Sequence, residues 1–222
     1  MISENMSLLM DKINDAELVL VGAGEEFAID TNDASAENIV LKNNRLRFYQ
    51  KLEKLLHDKN YFIVSLCTDG LIRECDFNKG RIVEPCGNNK YLQCSEKCTT
   101  DLYDIEDDMK ICPKCGKPLI NNRITDAGGM YVEEGYLEDW KIYTKWLQGT
   151  VNRRVCILEL GVGMQFPSVI RFPFEKIVYF NQKASFFRVH SRLYQLAEEI
   201  NEKSYSIQAT PEDMLKELSN MI

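Results

Sequence analysis

Histidine is scarce in this chain: of 222 residues only two, His57 and His190, carry an imidazole. The side chain best suited to general-base work near neutral pH is thus offered at two places only. Basic residues are in deficit as well, 27 Lys and Arg against 34 Asp and Glu, giving a net charge of −7 and a pI near 5.1. No run of Lys or Arg offsets that balance, which argues against non-specific binding to DNA, RNA or an anionic membrane. No apolar run approaches the ~20 residues that span a bilayer. The opening "MISENMSLLMDKINDAELVL" lacks the basic start and long apolar core of a signal peptide. A cytoplasmic location is the expectation. Internal repeats and low-complexity segments are absent too.

What is present is an ordinary globular composition, 45% apolar and 27% charged, enough for one good-sized domain with a small appended module. Eight cysteines in a cytoplasmic chain point to metal or thiol chemistry more than to disulfides. "QCSEKC" and "ICPKC" give Cys94-x3-Cys98 and Cys112-x2-Cys115. Each pair sets two thiolates on one tight turn, and two such turns supply four sulfurs to a tetrahedral zinc. The glycine in "CPKCGKPL" is the usual ending of a zinc knuckle. No open coordination position is implied, so the zinc is structural.

Apolar periodicity predicts helices over 3–14, 45–58, 134–149, within 168–180, over 193–203 and over 210–221. Thr210 as N-cap, Pro211 at the first helical position and Asp213 in the first turn mark the last of these. Continuous apolar strands are predicted at Val19–Val21, 61–66, 81–85, 155–160, 184–190 and 205–209. This alternation implies an α/β fold, a Rossmann-like parallel sheet with helices on both faces. It occupies 1–86 and 135–222, with the cysteine-bearing 87–134 as an inserted zinc-ribbon-like module. Ligands of such sheets lie beyond the carboxyl ends of the strands near the topological switch point. Two glycine turns fall there, Gly22-Ala23-Gly24 and Gly161-Val162-Gly163. Glu25 and Glu26 follow the first, placing negative charge where a phosphate is expected. In the helix within 168–180, Phe172, Phe174, Tyr179 and Phe180 are enough aromatic surface for a contact; packing of that helix onto the sheet is the favoured reading.

Taken in order, "VLVGAG", "YFIVSLCTDGLIREC", "IVEPCGNNKYLQCSEKC", "ICPKCGKPLINNRI" and "ILELGVGMQFPSVIRFPFEKI" resemble the sirtuins, NAD-dependent protein deacylases and ADP-ribosyltransferases. The last segment is most similar to bacterial sirtuins found with macrodomain partners and associated with protein ADP-ribosylation. The resemblance covers most of the chain from residue 16 onward. It implies a Rossmann-like domain with a small zinc module, NAD or ADP-ribose in the cleft between them, and a protein substrate. Gly22, Ala23, Gly24 and Glu25 then border the pyrophosphate. Gly161, Val162 and Gly163 form a second loop near the adenine ribose. Asp69 matches the acidic residue of the family's TQN-x-D motif, near the nicotinamide end.

The departures fall on the chemistry. The family's GAGxS and GIPDFR become "GAGEEFAID", without the serine and without a matching Phe-Arg, and the loop before the next helix is cut down. Cys67 replaces the asparagine of TQN. The His-Gly pair that carries the deacetylase base reads Cys86-Gly87. Neither His57, at a helix C-terminus, nor His190, at a strand end, stands in that segment, and both are read as structural. Cys86 and Asp69 are the catalytic candidates that remain. Cys67 and Cys86 read as small residues lining a pocket, with a redox-sensitive pair or a ligation site as alternatives; Cys75 and Cys156 read as core. Three functional readings stay open: a module that binds NAD or ADP-ribose without deacetylation, an active ADP-ribosyltransferase or deacylase, and a scaffold that has lost the nucleotide. Carboxylates capping the next helix would mark the scaffold, because they would neutralise the anion site themselves.

Overall fold

A computed structural model describes residues 2–31 and 33–221. The chain opens with α1 (Ile2–Asp15), β1 (Leu18–Ala23), α2 (Ala36–Leu56), β2 (Tyr61–Ser65) and β3 (Ile82–Val83). It then builds β4 (Gly87–Cys94), β5 (Tyr103–Asp104), β6 (Leu119–Arg123) and α3 (Ile124–Ala127). Last come α4 (Glu134–Gln148), β7 (Val155–Leu160), α5 (Arg171–Phe180), β8 (Ala184–Val189), β9 (Ser204–Ile207) and α6 (Pro211–Met221).

Six strands form a parallel sheet in the order β3-β2-β1-β7-β8-β9. Alternate residues of one strand serve opposite faces, as the two-residue period requires. Val19 and Val21 join the core made by α1, α2 and α6 through Met6, Leu9, Tyr49, Leu52 and Met214. Leu18 and Leu20 join the opposite core made by α4 and α5 through Tyr143, Trp146, Phe174 and Val178. Burial on both faces is why the strands read as unbroken apolar runs. A smaller antiparallel sheet, β5-β4-β6, lies between β3 and α4 in sequence and holds all four paired cysteines on or beside its strands.

Two local predictions need correction. α2 begins at Ala36, not 45, because Ser35 caps it: its Oγ accepts from Asn38 N at 3.2 Å. Its first turns carry exposed Ile39, Val40 and Leu41, so no apolar face announced them. The expected helix over 193–203 is instead irregular up to a 3-10 segment at Glu198–Lys203. Arginine side chains claim the carbonyls a helix would use: Arg171 Nη2 donates to Leu193 O and Arg188 Nη1 to Gln195 O, each at 2.8 Å. α6 starts as expected, with Thr210 and Asp213 exchanging reciprocal capping bonds.

From β1 the chain runs to β2 and β3 on one side, then returns to β7 on the other. The switch point is therefore between β1 and β7, and the two glycine turns leave the sheet on either side of it.

Candidate functional site

At the switch point the two turns touch through backbone. Gly24 N donates to Leu160 O at 2.8 Å, and a Cβ on Gly24 would stand 2.3 Å from Val162 Cα. Only glycine permits that approach. Gly161 turns at φ +59°, which also favours glycine. Gly22 serves a different end: its missing Cβ makes room for Ile170 and Phe174, so it seats α5 on β1.

The two glutamates bond across this switch point. Glu25 Oε2 accepts from Gly163 N at 2.7 Å, while Glu25 Oε1 is buried without a partner. Glu26 Oε2 accepts from Ser191 N at 3.1 Å, and its Oε1 takes the Ser191 hydroxyl. They do not cap the following helix, the arrangement that would have marked a scaffold, since Ser35 does that. They engage instead the N–H groups of the second glycine turn and of the loop after β8. A backbone N–H that donates to a carboxylate oxygen in this geometry is equally suited to donate to a phosphate or ribose oxygen.

Asp69, Cys67 and Cys86 follow the carboxyl ends of β2 and β3. Asp69 is 4% exposed; Oδ2 accepts from Ile29 N and Oδ1 from Leu71 N, each at 2.9 Å. It thereby pins the shortened loop after Glu26 to the end of β2, and burial raises its carboxyl above the usual range. Cys67 Sγ donates to Gly24 O at 3.2 Å. Burial, with the Asp69 charge adding, pushes this thiol up to about 12. Cys86 follows β3 and is buried; desolvation, with Glu25 adding, pushes it up to about 12 as well. Both thiols stay protonated at neutral pH, which removes thiolate chemistry as a resting property of the site.

Three residues that sequence reasoning did not select hold the second turn. Arg171 Nη1 donates to Val162 O at 2.8 Å while its other nitrogen grips Leu193, joining the turn to the post-β8 loop. Beneath it, Arg188 and Glu159, both 1% exposed, form a two-point pair at 2.6 and 3.1 Å. A charged residue inside each of two buried strands was the available signal. His190, read as structural, stands beside Glu26. Its Nδ1 accepts from Arg192 N at 3.0 Å and Leu193 N at 3.1 Å, so that nitrogen carries no proton. The 3.1 Å contact with Glu26 is therefore not an ion pair, and burial holds the imidazole below 6.5. His57 is an exposed helix C-cap.

The four paired cysteines converge. Their sulfurs all lie within 4.8 Å of one another, with Cys94–Cys115 at 3.4 Å and Cys98–Cys112 at 3.6 Å. Four thiolates bound at ~2.3 Å to a tetrahedral zinc stand at about this spacing. Lys97 and Gly116 take positive φ to turn each knuckle. Backbone N–H groups of Glu96 and Cys98 point at Cys94, and those of Lys114 and Cys115 at Cys112, supporting the charged sulfurs. The donor set is that of a closed, structural zinc centre. The module meets the parallel sheet near Glu84, which accepts from Arg73 Nε at 2.6 Å and from Asn88 Nδ2 of β4 at 3.0 Å.

With this geometry in hand, solved structures are informative. The chain matches a sirtuin structure concerned with substrate affinity at TM-score 0.61 and 11% identity, covering 97% of this chain and 98% of that one. It matches a Sir2 homologue solved with NAD at TM-score 0.60 and 10% identity, over 97% and 93%. A mutant Sir2 homologue holding 2'-O-acetyl ADP ribose follows at TM-score 0.59 and 10% identity, over 96% and 95%. The fold is that of the sirtuins. Among curated proteins, this sirtuin-like chain is 23% identical over 173 residues to a protein ADP-ribosyltransferase of Staphylococcus aureus (strain Mu50 / ATCC 700699), covering 70% of this chain. It is 26% identical over 166 residues, 64% of this chain, to a probable bifunctional ADP-ribose hydrolase/ADP-ribosyltransferase of Fusarium oxysporum f. sp. cubense. The aligned region spans 55% of the first relative and 28% of the second. No protein-family model matches the sequence. Among the described residues no helix is long and apolar enough to cross a membrane.

Proposed function

We propose that this sirtuin-like chain binds NAD or ADP-ribose at the β1/β7 switch point and does not carry out ordinary deacetylation. The carrying observation is the Gly163 N–H beside the β1/β7 switch point, a backbone donor that Glu25 fills at 2.7 Å; nucleotide binding requires that this internal carboxylate be displaced, and a carboxylate that stays in place leaves the scaffold. Gly24 and Gly163 bring backbone to the edge of the site, and the unpartnered Glu25 Oε1 calls for a donor such as a ribose hydroxyl, not for an anionic oxygen. A bound pyrophosphate or ribose oxygen would take the place of Glu25 or Glu26. Ala23, Gly24, Cys67, Gly161, Val162 and Gly163 are the residues we assign to this cradle, with Gly22 seating α5 behind it and Asp69 orienting it through Ile29. Residues 87–134 form the inserted zinc module, the remainder the nucleotide domain.

Deacetylation is set aside because the position of the family's base holds Cys86, a buried thiol pushed up to about 12. At neutral pH it does not take a proton from a ribose hydroxyl. The second reading, ADP-ribosyl transfer to a protein, is favoured by the names of both curated relatives. When bound, NAD would supply the glycosidic bond to be cleaved, and the carboxylate of Asp69, with Glu25 or Glu26 once displaced from its backbone donor, would stabilise positive charge on the ribose without a strong base. A macrodomain-type ADP-ribose hydrolase partner fits this reading, since the Fusarium relative carries both names in one chain. Eight unpaired cysteines fit a reducing, cytoplasmic setting.

The test is calorimetric titration of the zinc-loaded chain with NAD and with ADP-ribose. Saturable 1:1 heat is expected for ADP-ribose; none with either ligand overturns the nucleotide reading and leaves a scaffold. Nicotinamide release in the presence of a protein acceptor then separates transfer from simple binding.

A further inference from the structure

The aromatic residues of α5 do not pack as their sequence suggests. Of the four, Phe174 alone is buried; Phe180 is 77% exposed, Tyr179 52% and Phe172 45%, with Val151 beside them at 74%. Large apolar side chains exposed side by side mark a contact surface. This one is held rigid. The Tyr179 and Phe180 rings meet edge-to-face at 5.0 Å. Lys203 Nζ donates to Val178 O at 2.6 Å and to Asn181 O at 3.2 Å, closing the helix end. Asn181 Nδ2 donates to Thr150 O and Arg153 O, fixing the turn that carries Val151. Aromatic anchors already fixed in place lose little entropy on docking.

We propose that this face binds a second copy of the same chain about a two-fold axis. Phe180 projects between two hollows, one of ≈ 230 Å³ walled by Val151 and Ile177, the other of ≈ 410 Å³ walled by Tyr179 and Ile200. A two-fold contact uses one patch twice, so that patch must hold both the projection and its socket. This one does. Charge selects the same occupant. The chain carries −7 overall, yet the second hollow is lined by one exposed cation, Lys176, and one exposed anion, Glu199, while Glu175 is spent on Arg188. A basic partner would call for surplus acid and a nucleic acid for surplus base. Two-fold pairing instead sets Lys176 of one copy against Glu199 of the other. The anchor Phe180 ends α5 while Arg171 begins it, a helix length of ~14 Å away, so Phe180→Asp perturbs the contact far from the second glycine turn.

The experiment is sedimentation velocity on the zinc-loaded chain across micromolar to submillimolar concentrations. A reversible dimer is expected, its dissociation constant raised at least about tenfold by Phe180→Asp. Lys176→Glu is expected to weaken it as well, and Lys176→Glu with Glu199→Lys to restore it. Far-UV circular dichroism and ADP-ribose titration of each variant confirm that fold and crevice are intact. A chain monomeric at every concentration, a dimer indifferent to Phe180→Asp, or a double charge swap that fails to restore association overturns the proposal.

Discussion

Replacing Glu25 with alanine separates the stability of the crevice from its affinity. In the native chain the Glu25 carboxylate occupies Gly163 N at 2.7 Å. A hydrogen bond to a charged group contributes about 1.5–3 kcal/mol, so Glu25→Ala is expected to lose about that much stability without ligand. At about 2–4 °C per kcal/mol for a chain of this size, scanning calorimetry resolves the drop. An anionic ligand that must first displace Glu25 from Gly163 gains the same free energy once the carboxylate is gone. At 1.4 kcal/mol per decade, ADP-ribose binding tightens by about 10- to 100-fold. The expected signature is thus a less stable protein that binds more tightly, measured by calorimetric titration at fixed salt. A stable Glu25→Ala variant whose affinity is unchanged or weaker refutes the stand-in role of Glu25.

Chelation of zinc leaves the polar 94–115 turns without their cross-link; structural zinc sites of this class are worth about 10–16 kcal/mol of folding free energy. We expect native mass spectrometry to find one zinc per chain and chelator to abolish the module's circular-dichroism contribution. Metal analysis well below one zinc per chain contradicts this. Arg188→Met strands Glu159 in the sheet, and denaturant melts should show a loss of about 3–5 kcal/mol, largely recovered when Glu159→Leu is added. His190 is held below 6.5 by burial, so the unfolded chain takes up that proton more readily than the folded one. Its contribution is present above pH 6.5 and lost as pH falls below it. His190→Asn, whose Oδ1 keeps an acceptor for Arg192 N and Leu193 N, should flatten that part of the stability profile. An unchanged slope places the titration elsewhere.

The sheet was legible because its central strands are apolar on both faces and two of them, β1 and β7, lead into glycine turns, and the zinc centre because two Cys-x2–3-Cys turns have one economical use. What escaped has a common cause. The start of α2 depends on a single cap, Ser35, and carries no apolar stripe. The loss of helix over 193–197 follows from Arg171, 22 residues before Leu193, and Arg188, seven before Gln195, taking its carbonyls. The partners of Glu25 and Glu26 lie 138 and 165 residues away. Charge at the glycine turn was visible in sequence; which N–H groups that charge would satisfy was a tertiary fact. The α5 aromatics fall in the same class, since spacing does not say which side of a short helix meets the sheet.

The most direct measurement is the amide NMR spectrum of the zinc-loaded chain during ADP-ribose titration. If Glu25 and Glu26 stand where the ligand's oxygens go, the amides of Gly163 and Ser191 shift in one saturable process with those of Glu25 and Glu26. Shifts confined to other surfaces, or none at saturating ligand, contradict a nucleotide site at the β1/β7 switch point.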